Sequence, residues 1–377
     1  MDQPATPSRR PFITRALGAL AALPLVQACT GAAPRTGSAA AAGAGGSGGA
    51  GGRFEFGVVG DIPYTRAQEA EYARVMADMN ARELAFVTHI GDCMFDPRPY
   101  ERDPSLARMP MTDENYAYVL GTFQSCRHPL VLTPGDNDWS DAVQFKKVKV
   151  DAADCLRKLR ATFYPRGGTL GQRSMPVDSQ AATDPAHAAY VENLTWKVHG
   201  LRFATLHIVG SDDNANEDKA EHAARQAAVI AWLRRAFAAA KAEDSPGLVL
   251  ITHANPDFEN RWSRSYASRY ARSVRGADAP REAKPTPYDP FLDALIEQMQ
   301  QYTRPVLYVH GDTHIYRTGK PLMNPKTQRF FENLTRLETF GWPDSGWVRV
   351  AVNPANPQLF EIHPEMPKAN SANHAAA

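Results

Sequence analysis

The sequence predicts an α/β fold for residues 53–365. Within this range, short apolar runs alternate with segments whose apolar residues have helical spacing, which is typical of that class. The whole chain has 377 residues, of which 43% are hydrophobic and 22% charged, as in soluble globular proteins. Lys and Arg together number 42 and Asp and Glu 41, so no overall charge favours nucleic acid or an anionic membrane as the main partner.

Residues 1–29 have the pattern of an export signal. The segment SRRPFIT precedes an apolar run that is too short to span a membrane and stops at Cys29. The pair Arg9-Arg10 resembles a twin-arginine signal. The sequence VQAC resembles a bacterial lipobox, in which Cys29 would carry a lipid; cleavage nearby without lipidation is the alternative. We therefore expect export to the bacterial periplasm or cell envelope, with membrane contact only through a lipid on Cys29.

Two further segments are predicted to lie outside the fold. Residues 30–52 are rich in Gly, Ala and Ser and cannot bury enough apolar surface to order themselves, so they are predicted to be a flexible tether. Residues 366–377 are predicted to be a disordered tail. Between them lie Cys93, Cys126 and Cys155, which in an oxidising compartment could form one disulfide and leave one free thiol. The sequence fixes neither this pairing nor the oligomeric state.

Six apolar runs within residues 53–365 are predicted to be strands, and each is followed by polar side chains. In chain order the runs are RFEFGVV, ELAFVTHI, PLVL, LRFATLHIV, GLVLI and RPVLYVH. They are followed, in the same order, by Asp61, Asp92, Asp136, the segment Ser211 to Asn214, His253, and Asp312 with His314. The alanine-rich segment HAARQAAVIAWLRRAFAAAK is predicted to be a helix that packs on the sheet.

Acid and imidazole repeated at the strand ends predict a metal site. A single Gly-Asp turn is explained by a β-turn or a helix N-cap. However, ligands of open α/β sheets bind beyond the carboxyl ends of the strands, and here nearly every strand brings Asp or His to that edge. Carboxylate and neutral imidazole are both ligands of divalent metal ions.

The order of these motifs resembles that of the calcineurin-like metallophosphoesterases. The successive motifs are GDIPY, GDCMF, GDND, ITH and GDTH, and the resemblance extends from Asp61 to His314. It implies a four-layer αββα sandwich, in which two mixed sheets are flanked by helices and carry a dinuclear metal site. It also implies that the protein uses a metal-activated water to hydrolyse a small phosphorylated substrate, which is either a phosphomonoester or a phosphodiester.

Carried over position by position, the resemblance implies six metal ligands. These are Asp61, Asp92, Asp136, His253, Asp312 and His314. The first metal would be bound by Asp61 and His314, and Asp92 would bridge the two metals. The second metal would be bound by Asp136, His253 and Asp312.

The sequence departs from the family pattern at several positions. Pro63 stands where the family has the histidine of D-x-H, and Tyr64 is a candidate to compensate for it. Phe95 stands where purple acid phosphatases have a tyrosine, so a tyrosinate–iron colour is not expected. Asp136 and Asp312 replace an Asn and a His, which adds negative charge. We therefore expect one or two divalent ions, with Mn, Mg, Ca or Fe favoured over Zn.

The proton donor for the leaving group is also changed. Asn137 occupies the position of the family's phosphoryl-contacting histidine, and it can donate a hydrogen bond but cannot supply a proton. Asp138 is the nearest titratable candidate, and its alternative role is to cap or orient the turn. Asn137, Tyr64 and Asn255 are candidates for substrate contacts.

Several other features have ordinary structural explanations. His89 and His310 are expected to be core histidines. The Arg-rich segment 259–287 is either an anion-binding loop over the site or a solvated surface loop.

Two functional hypotheses follow from the whole sequence. One is an exported metal-dependent phosphoesterase, and the other is a catalytically weak or inactive lipoprotein that binds metal or a phosphate ligand.

Overall fold

A computed structural model describes residues 52–94, 96–146, 150–164, 168–261 and 284–367. The predicted export signal, residues 30–51 of the tether, Phe95, the central part (262–283) of the Arg-rich segment and residues 368–377 of the tail lie outside the described residues. Across the described ranges, every helix is too short or too polar to cross a membrane.

The strands and helices follow one another along the chain. The strands are β1 (Phe54–Val59), β2 (Val87–His89), β3 (Leu130–Leu132), β4 (Asp178–Ser179), β5 (Leu194–Val198), β6 (Leu201–Thr205), β7 (Leu248–Ile251), β8 (Val306–His310), β9 (Arg317–Gly319), β10 (Met323–Asn324), β11 (Arg329–Phe330), β12 (Leu334–Glu338), β13 (Trp347–Val352) and β14 (Phe360–Glu365). The α-helices are α1 (Arg66–Asn80), α2 (Pro97–Arg102), α3 (Asp113–Gln124), α4 (Ala152–Phe163), α5 (Gln180–Thr183), α6 (Lys219–Ala242) and α7 (Asp289–Met299). Two 3₁₀ turns span Ser140–Gln144 and Pro185–His187, and Gly210–Asp213 forms a short helical turn.

Two large mixed sheets form the centre of the fold. The first has the order β14-β13-β1-β2-β3, and its strands β1, β2 and β3 are parallel. The second has the order β4-β5-β6-β7-β8-β12-β9, with β6, β7, β8 and β12 parallel. All six predicted strands are among these parallel ones. Because parallel strands share a direction, their carboxyl ends lie at one edge of each sheet.

The two sheets pack face to face through aromatic side chains. The ring of Phe203 on β6 lies 5.4 Å from Phe56 on β1 and 5.0 Å from Phe86, which precedes β2, in edge-to-face contacts. Helix α6 covers the outer face of the second sheet, where Trp232 and Phe237 belong to the same core cluster as Leu248 of β7. These contacts confirm the predicted four-layer arrangement.

Helices α1 and α3 cover the outer face of the first sheet. Tyr72 of α1 and Phe123 of α3 contact the ring of His89 on β2, at 6.0 Å and 5.1 Å between ring centres. The predicted helix 222–241 corresponds to α6, which begins three residues earlier and ends one residue later. It begins at Lys219 because the Asp218 side chain accepts hydrogen bonds from the free N–H groups of Ala220 and Glu221.

The three cysteines of the described structure are free thiols. Cys93, Cys126 and Cys155 are all buried, and none is paired with another. The disulfide that the sequence left open is therefore not formed among these three residues. They lie after β2, after α3 and within α4, where each packs as a small apolar side chain.

Candidate metal centre

Four of the six candidate ligands lie on backbone with a left-handed conformation. The φ angles are 56° at Asp61, 56° at Asp92, 71° at Asp312 and 62° at His314. Positive φ is uncommon for residues other than Gly, and it persists where the surroundings hold it. Each of these residues lies two to four residues after the end of a parallel strand, so the chain turns sharply at the sheet edge.

Gly135, the glycine of the GDND motif, allows the turns after β2 and β7 to come close to the turn after β3. A Cβ atom at Gly135 would lie 2.1 Å from Oδ1 of Asp92 and 2.7 Å from Cε1 of His253. No side chain fits at that distance, so this position requires glycine for close contact rather than for its φ angle. The turns after β2, β3 and β7 therefore meet at Gly135.

A first group of ligand atoms combines Asp61, Asp92 and His314. One ligand atom from each lies within 4.8 Å of the others. Nε2 of His314 is 3.7 Å from Oδ1 of Asp61. The other ring nitrogen, Nδ1, donates a hydrogen bond of 2.7 Å to the carbonyl oxygen of Trp342, which leaves Nε2 as the free ligand atom.

A second group combines Asp92, Asp136 and His253, again within 4.8 Å. Nε2 of His253 lies 3.2 Å from Oδ1 of Asp136, 3.4 Å from Oδ1 of Asp92 and 3.8 Å from Oδ1 of Asp312. Its Nδ1 donates to the carbonyl oxygen of Ile90 at 2.8 Å, so Nε2 faces the carboxylates. Asp92 belongs to both groups, and Asp312 lies beside the second.

The carboxylates of this cluster cannot all be ionised without compensation. Burial raises the pKa of Asp61 and Asp92 well above the usual value. Burial and the nearby Asp136 raise the pKa of Asp312 to about 7. Burial also acts to raise the pKa of Asp136, but hydrogen bonds from His253 and Ser211 hold it at about 2.

The residues therefore fit bound divalent cations. In the described part of the chain, the ion pairs of these four carboxylates are all with His253 or His314, and no Lys or Arg pairs with them. Burial alone would lower the pKa of His253, but Asp92 and Asp136 outweigh it and raise that pKa well above 6.5. A buried cluster of carboxylates with so little positive charge lowers the stability of the folded state unless a cation binds to it.

Asn137 and Tyr64 both bind the shared carboxylate. The Asn137 side chain donates to Oδ2 of Asp92 at 2.8 Å, and its backbone N–H donates to Oδ1 at 3.1 Å. The Tyr64 hydroxyl donates to Oδ2 of Asp92 at 2.5 Å and lies 3.1 Å from Nε2 of His314. Two of the predicted substrate-contacting residues therefore lie in the wall of the metal centre.

Asp138 has the alternative role considered for it, which is to orient the turn. Its carboxylate accepts hydrogen bonds from the backbone N–H groups of Asp92, Cys93, Met94 and Gly135, at 2.7 to 3.0 Å. The side chain is completely buried. Both oxygens are engaged by backbone donors, which favours this orienting role over proton donation to a leaving group.

The remaining sequence candidates lie close to the centre but not in it. The Asn255 side chain donates to Glu259 at 3.0 Å, and its Oδ1 atom is buried without a partner in the described structure. His89 and His310 are fully buried. Burial lowers the pKa of His89 to about 4 and that of His310 to about 3, so both are neutral core histidines. Nε2 of each has no hydrogen-bond partner among the described residues, although that of His310 lies 3.8 Å from Glu338.

The sequence placed Ser211 at a strand end, but it did not predict the buried layer behind that residue. Ser211 donates from Oγ to Oδ2 of Asp136 at 2.8 Å, and residues 211–214 all have φ angles between 52° and 61°. Arg225 of α6 is completely buried and donates to the Asp213 side chain and to the carbonyl oxygens of Asp213 and His207. The left-handed turn that carries Ser211 is therefore fixed from behind by one arginine.

The same layer reaches the GDND motif from the other side. Trp139 donates from Nε1 to Nε2 of His207 at 3.1 Å, and Nδ1 of His207 is 2.7 Å from Glu192. Glu192 is fully buried and is also bound by Arg160. Trp139 lies next to the GDND motif in the sequence. His207, Glu192 and Arg160 belong to none of the motifs, so the sequence did not indicate their role.

No protein-family model matches the sequence, and no curated protein matches it. Among solved structures, the protein is similar to one described as "Structure of PhoD", with a TM-score of 0.49 and 12% sequence identity. The match covers 81% of this chain and 65% of that chain, so this chain spans slightly less than two thirds of that protein's length. The fold and the centre described above stand on their own geometry.

Proposed function

We propose that the protein is a metal-dependent phosphoesterase of the calcineurin-like type. The observation that carries this proposal is the pair of three-ligand groups that share Asp92 at the carboxyl ends of two mixed sheets. Asp61, Asp92 and His314 would hold one ion, and Asp92, Asp136 and His253 the other, with Asp312 beside the second. When bound, two such ions lower the pKa of water and offset the negative charge of a phosphoryl group.

The side chains around the centre have separate roles in this proposal. The carbonyl oxygens of Ile90 and Trp342 orient the two imidazoles, and Ser211 orients Asp136. Asn137 holds the shared carboxylate through two hydrogen bonds. With Asp138 turned to the backbone, the GDND motif supplies no proton for the leaving group. General-acid help is worth about 10²–10⁴-fold, so we propose substrates whose leaving groups depart without protonation.

The alternative is a metal- or phosphate-binding protein without catalysis. It is favoured by Pro63, which cannot bind a metal, and by Asn137, which cannot donate a proton. For either function we propose that the protein acts outside the cytoplasm, on the basis of Arg9-Arg10 and the apolar run before Cys29.

The test combines metal analysis with hydrolysis of aryl esters. Purified full-length protein, supplied with Mn²⁺, is assayed on an aryl phosphate and an aryl phosphodiester, because aryl leaving groups need little protonation. We expect hydrolysis of at least one ester and bound metal in the protein. In Asp92→Asn and His253→Gln the rate should fall by more than about 100-fold, because even the loss of an outer-shell partner typically costs 10–100-fold.

Asp178→Asn is the matched control, because Asp178 is exposed on β4 and belongs to neither ligand group. It should keep the wild-type rate and metal content. Hydrolysis that survives both Asp92→Asn and His253→Gln would exclude this centre as the catalytic site. Bound metal without hydrolysis of either ester would favour the binding protein, and absence of metal would exclude the phosphoesterase and any metal-binding function.

A further inference from the structure

The first ligand group lacks a donor where the sequence places Pro63. Asp61, Asp92 and His314 provide one ligand atom each within the 4.8 Å cluster. Ions that prefer oxygen ligands usually take about six, of which some are water. A proline ring has no donor atom and cannot complete this group. The structure therefore raises the question of which neighbouring side chain supplies a further ligand.

The phenol oxygen of Tyr64 lies inside this group. It is 2.5 Å from Oδ2 of Asp92 and 3.1 Å from Nε2 of His314, which are atoms of two different ligands. Those contacts place the oxygen among the donor atoms, where an ion held by Asp92 and His314 comes within reach of it.

The surroundings of Tyr64 hold the phenol in this position. Its backbone N–H donates to the buried side chain of Gln68 at 2.8 Å. Its ring packs edge-on against the ring of His314, with 5.2 Å between the centres. The residue is only 3% exposed, so the hydroxyl faces the centre rather than solvent. This burial argues against the simple substrate contact predicted from the sequence.

We propose that the phenol oxygen of Tyr64 is a ligand of the ion held by Asp61, Asp92 and His314, in place of the donor that Pro63 cannot provide. The inference rests on the proposed metal-dependent function. A metal-bound phenol is a phenolate, and its proton leaves to the buffer when the ion binds. A further anionic oxygen donor makes this position suited to hard ions, including Fe³⁺ and Mn²⁺.

Metal binding tests the proposal without reference to activity. Full-length wild type, Tyr64→Phe and Tyr72→Phe are stripped with a chelator and titrated with Mn²⁺ by calorimetry. We expect two ions per chain in the wild type. In Tyr64→Phe one ion should be lost or bound at least about 10-fold more weakly. Tyr72→Phe is the matched control, because Tyr72 is equally buried but its hydroxyl has no partner in the described structure.

The ferric form provides a second readout. Phe95 led us to expect no tyrosinate–iron colour, whereas a Tyr64 ligand predicts one. Loaded with Fe³⁺, the wild type and Tyr72→Phe should show a visible phenolate-to-iron absorption band, and Tyr64→Phe should be colourless. Unchanged Mn²⁺ stoichiometry and affinity in Tyr64→Phe would overturn the proposal, as would a wild type that binds no ion at this group. If Tyr64→Phe does not fold, resonance Raman spectra of the ferric wild type decide: tyrosinate modes support the proposal, and bound iron without them refutes it.

Failure of this inference is distinguishable from failure of the proposed function. Unchanged metal binding in Tyr64→Phe, together with ester hydrolysis that depends on Asp92, would reject the tyrosine ligand and keep the phosphoesterase. If Tyr64→Phe loses an ion but the wild type hydrolyses neither ester, Tyr64 remains assigned as a metal ligand and the catalytic function is rejected.

Discussion

At the scale of single residues, the candidate centre depends on turns that few side chains tolerate. Asp61, Asp92, Asp312 and His314 all have positive φ, and Asp is among the residues that accept this conformation most readily. The same residue type thus satisfies both the backbone and the expected ligand chemistry. This overlap explains why Gly-Asp pairs at strand ends were informative in the sequence.

The sequence could place these residues but not orient them. Their positions followed from the strand ends, since each motif stands directly after an apolar run. The contact between Tyr64 and His314 could not be predicted, because 250 residues separate them and loop geometry alone brings them together. The same is true of Asp138. The sequence identified the GDND motif that contains it, but it could not predict that its side chain turns towards the backbone.

Replacing Asp312 with Asn should change how the stability of the metal-free protein depends on pH. The folded-state pKa of Asp312 is raised from 3.8 to about 7, first by burial and then by Asp136. Its contribution to stability is therefore full below about pH 4 and is lost as the pH rises to 7, because only the unfolded chain ionises freely. Relative to wild type, Asp312→Asn should gain roughly 2–4 kcal/mol between these pH values.

Urea unfolding in the presence of a chelator, at pH 4, 5.5 and 7, measures this difference. Asp178→Asn, at an exposed position, should show no such trend. A stability difference between Asp312→Asn and wild type that stays constant from pH 4 to 7 would contradict the expectation.

At the scale of elements, most parallel strands were predictable and most antiparallel ones were not. The parallel strands β1, β2, β3, β6, β7 and β8 are buried over nearly their whole length, because both faces of each sheet are covered. Strand β13, WVRVAV, pairs antiparallel with β1, and its nearly continuous apolar run was a usable signal that was missed. Strands β4, β10 and β11 have only two residues each and carry no periodicity.

Helix α6 also determines the geometry of the centre, through Arg225. This arginine is completely buried and binds Asp213 and the His207 carbonyl oxygen, behind the turn that presents Ser211 to Asp136. Arg225→Leu should lower the free energy of unfolding by about 3–5 kcal/mol, because it removes the fully buried charge partner of Asp213 and leaves only His222 beside that carboxylate. Mn²⁺ affinity should fall as well, since the turn is no longer held.

Arg234→Leu on the same helix is the control. Its guanidinium pairs with Glu297 at the surface, where both side chains are about half exposed. Such a pair is worth about 0–1 kcal/mol, so the variant should stay close to wild type in denaturant unfolding and in Mn²⁺ binding. Equal losses of stability in the two arginine variants would refute the role given to Arg225.

At the scale of the whole molecule, each ligand group takes residues from both sheets. Asp61, Asp92 and Asp136 follow strands of the first sheet, and His253 and His314 follow strands of the second. Ions bound as proposed would therefore cross-link the two halves of the sandwich. Removing them would break contacts between the sheets as well as within each site.

Chelation should consequently lower the melting temperature. A ligand at 100 times its Kd stabilises the folded state by about 2.7 kcal/mol per site, which corresponds to a shift on the order of 5 °C in a protein of this size. Differential scanning calorimetry with and without chelator measures this shift. Asp92→Asn, which lacks the shared ligand, should respond much less. An unchanged melting temperature in the wild type would contradict ions that join the sheets.

The three buried thiols have a consequence for the compartment in which the protein can fold. Cys93, Cys126 and Cys155 are free, so the described core is complete without a covalent bond between them. The export route proposed from Arg9-Arg10 carries chains that have already folded, which would mean folding in the reducing cytoplasm, where thiols stay unpaired. A core that relied on a disulfide would reach that route unfinished, whereas the described core needs no oxidant in order to fold.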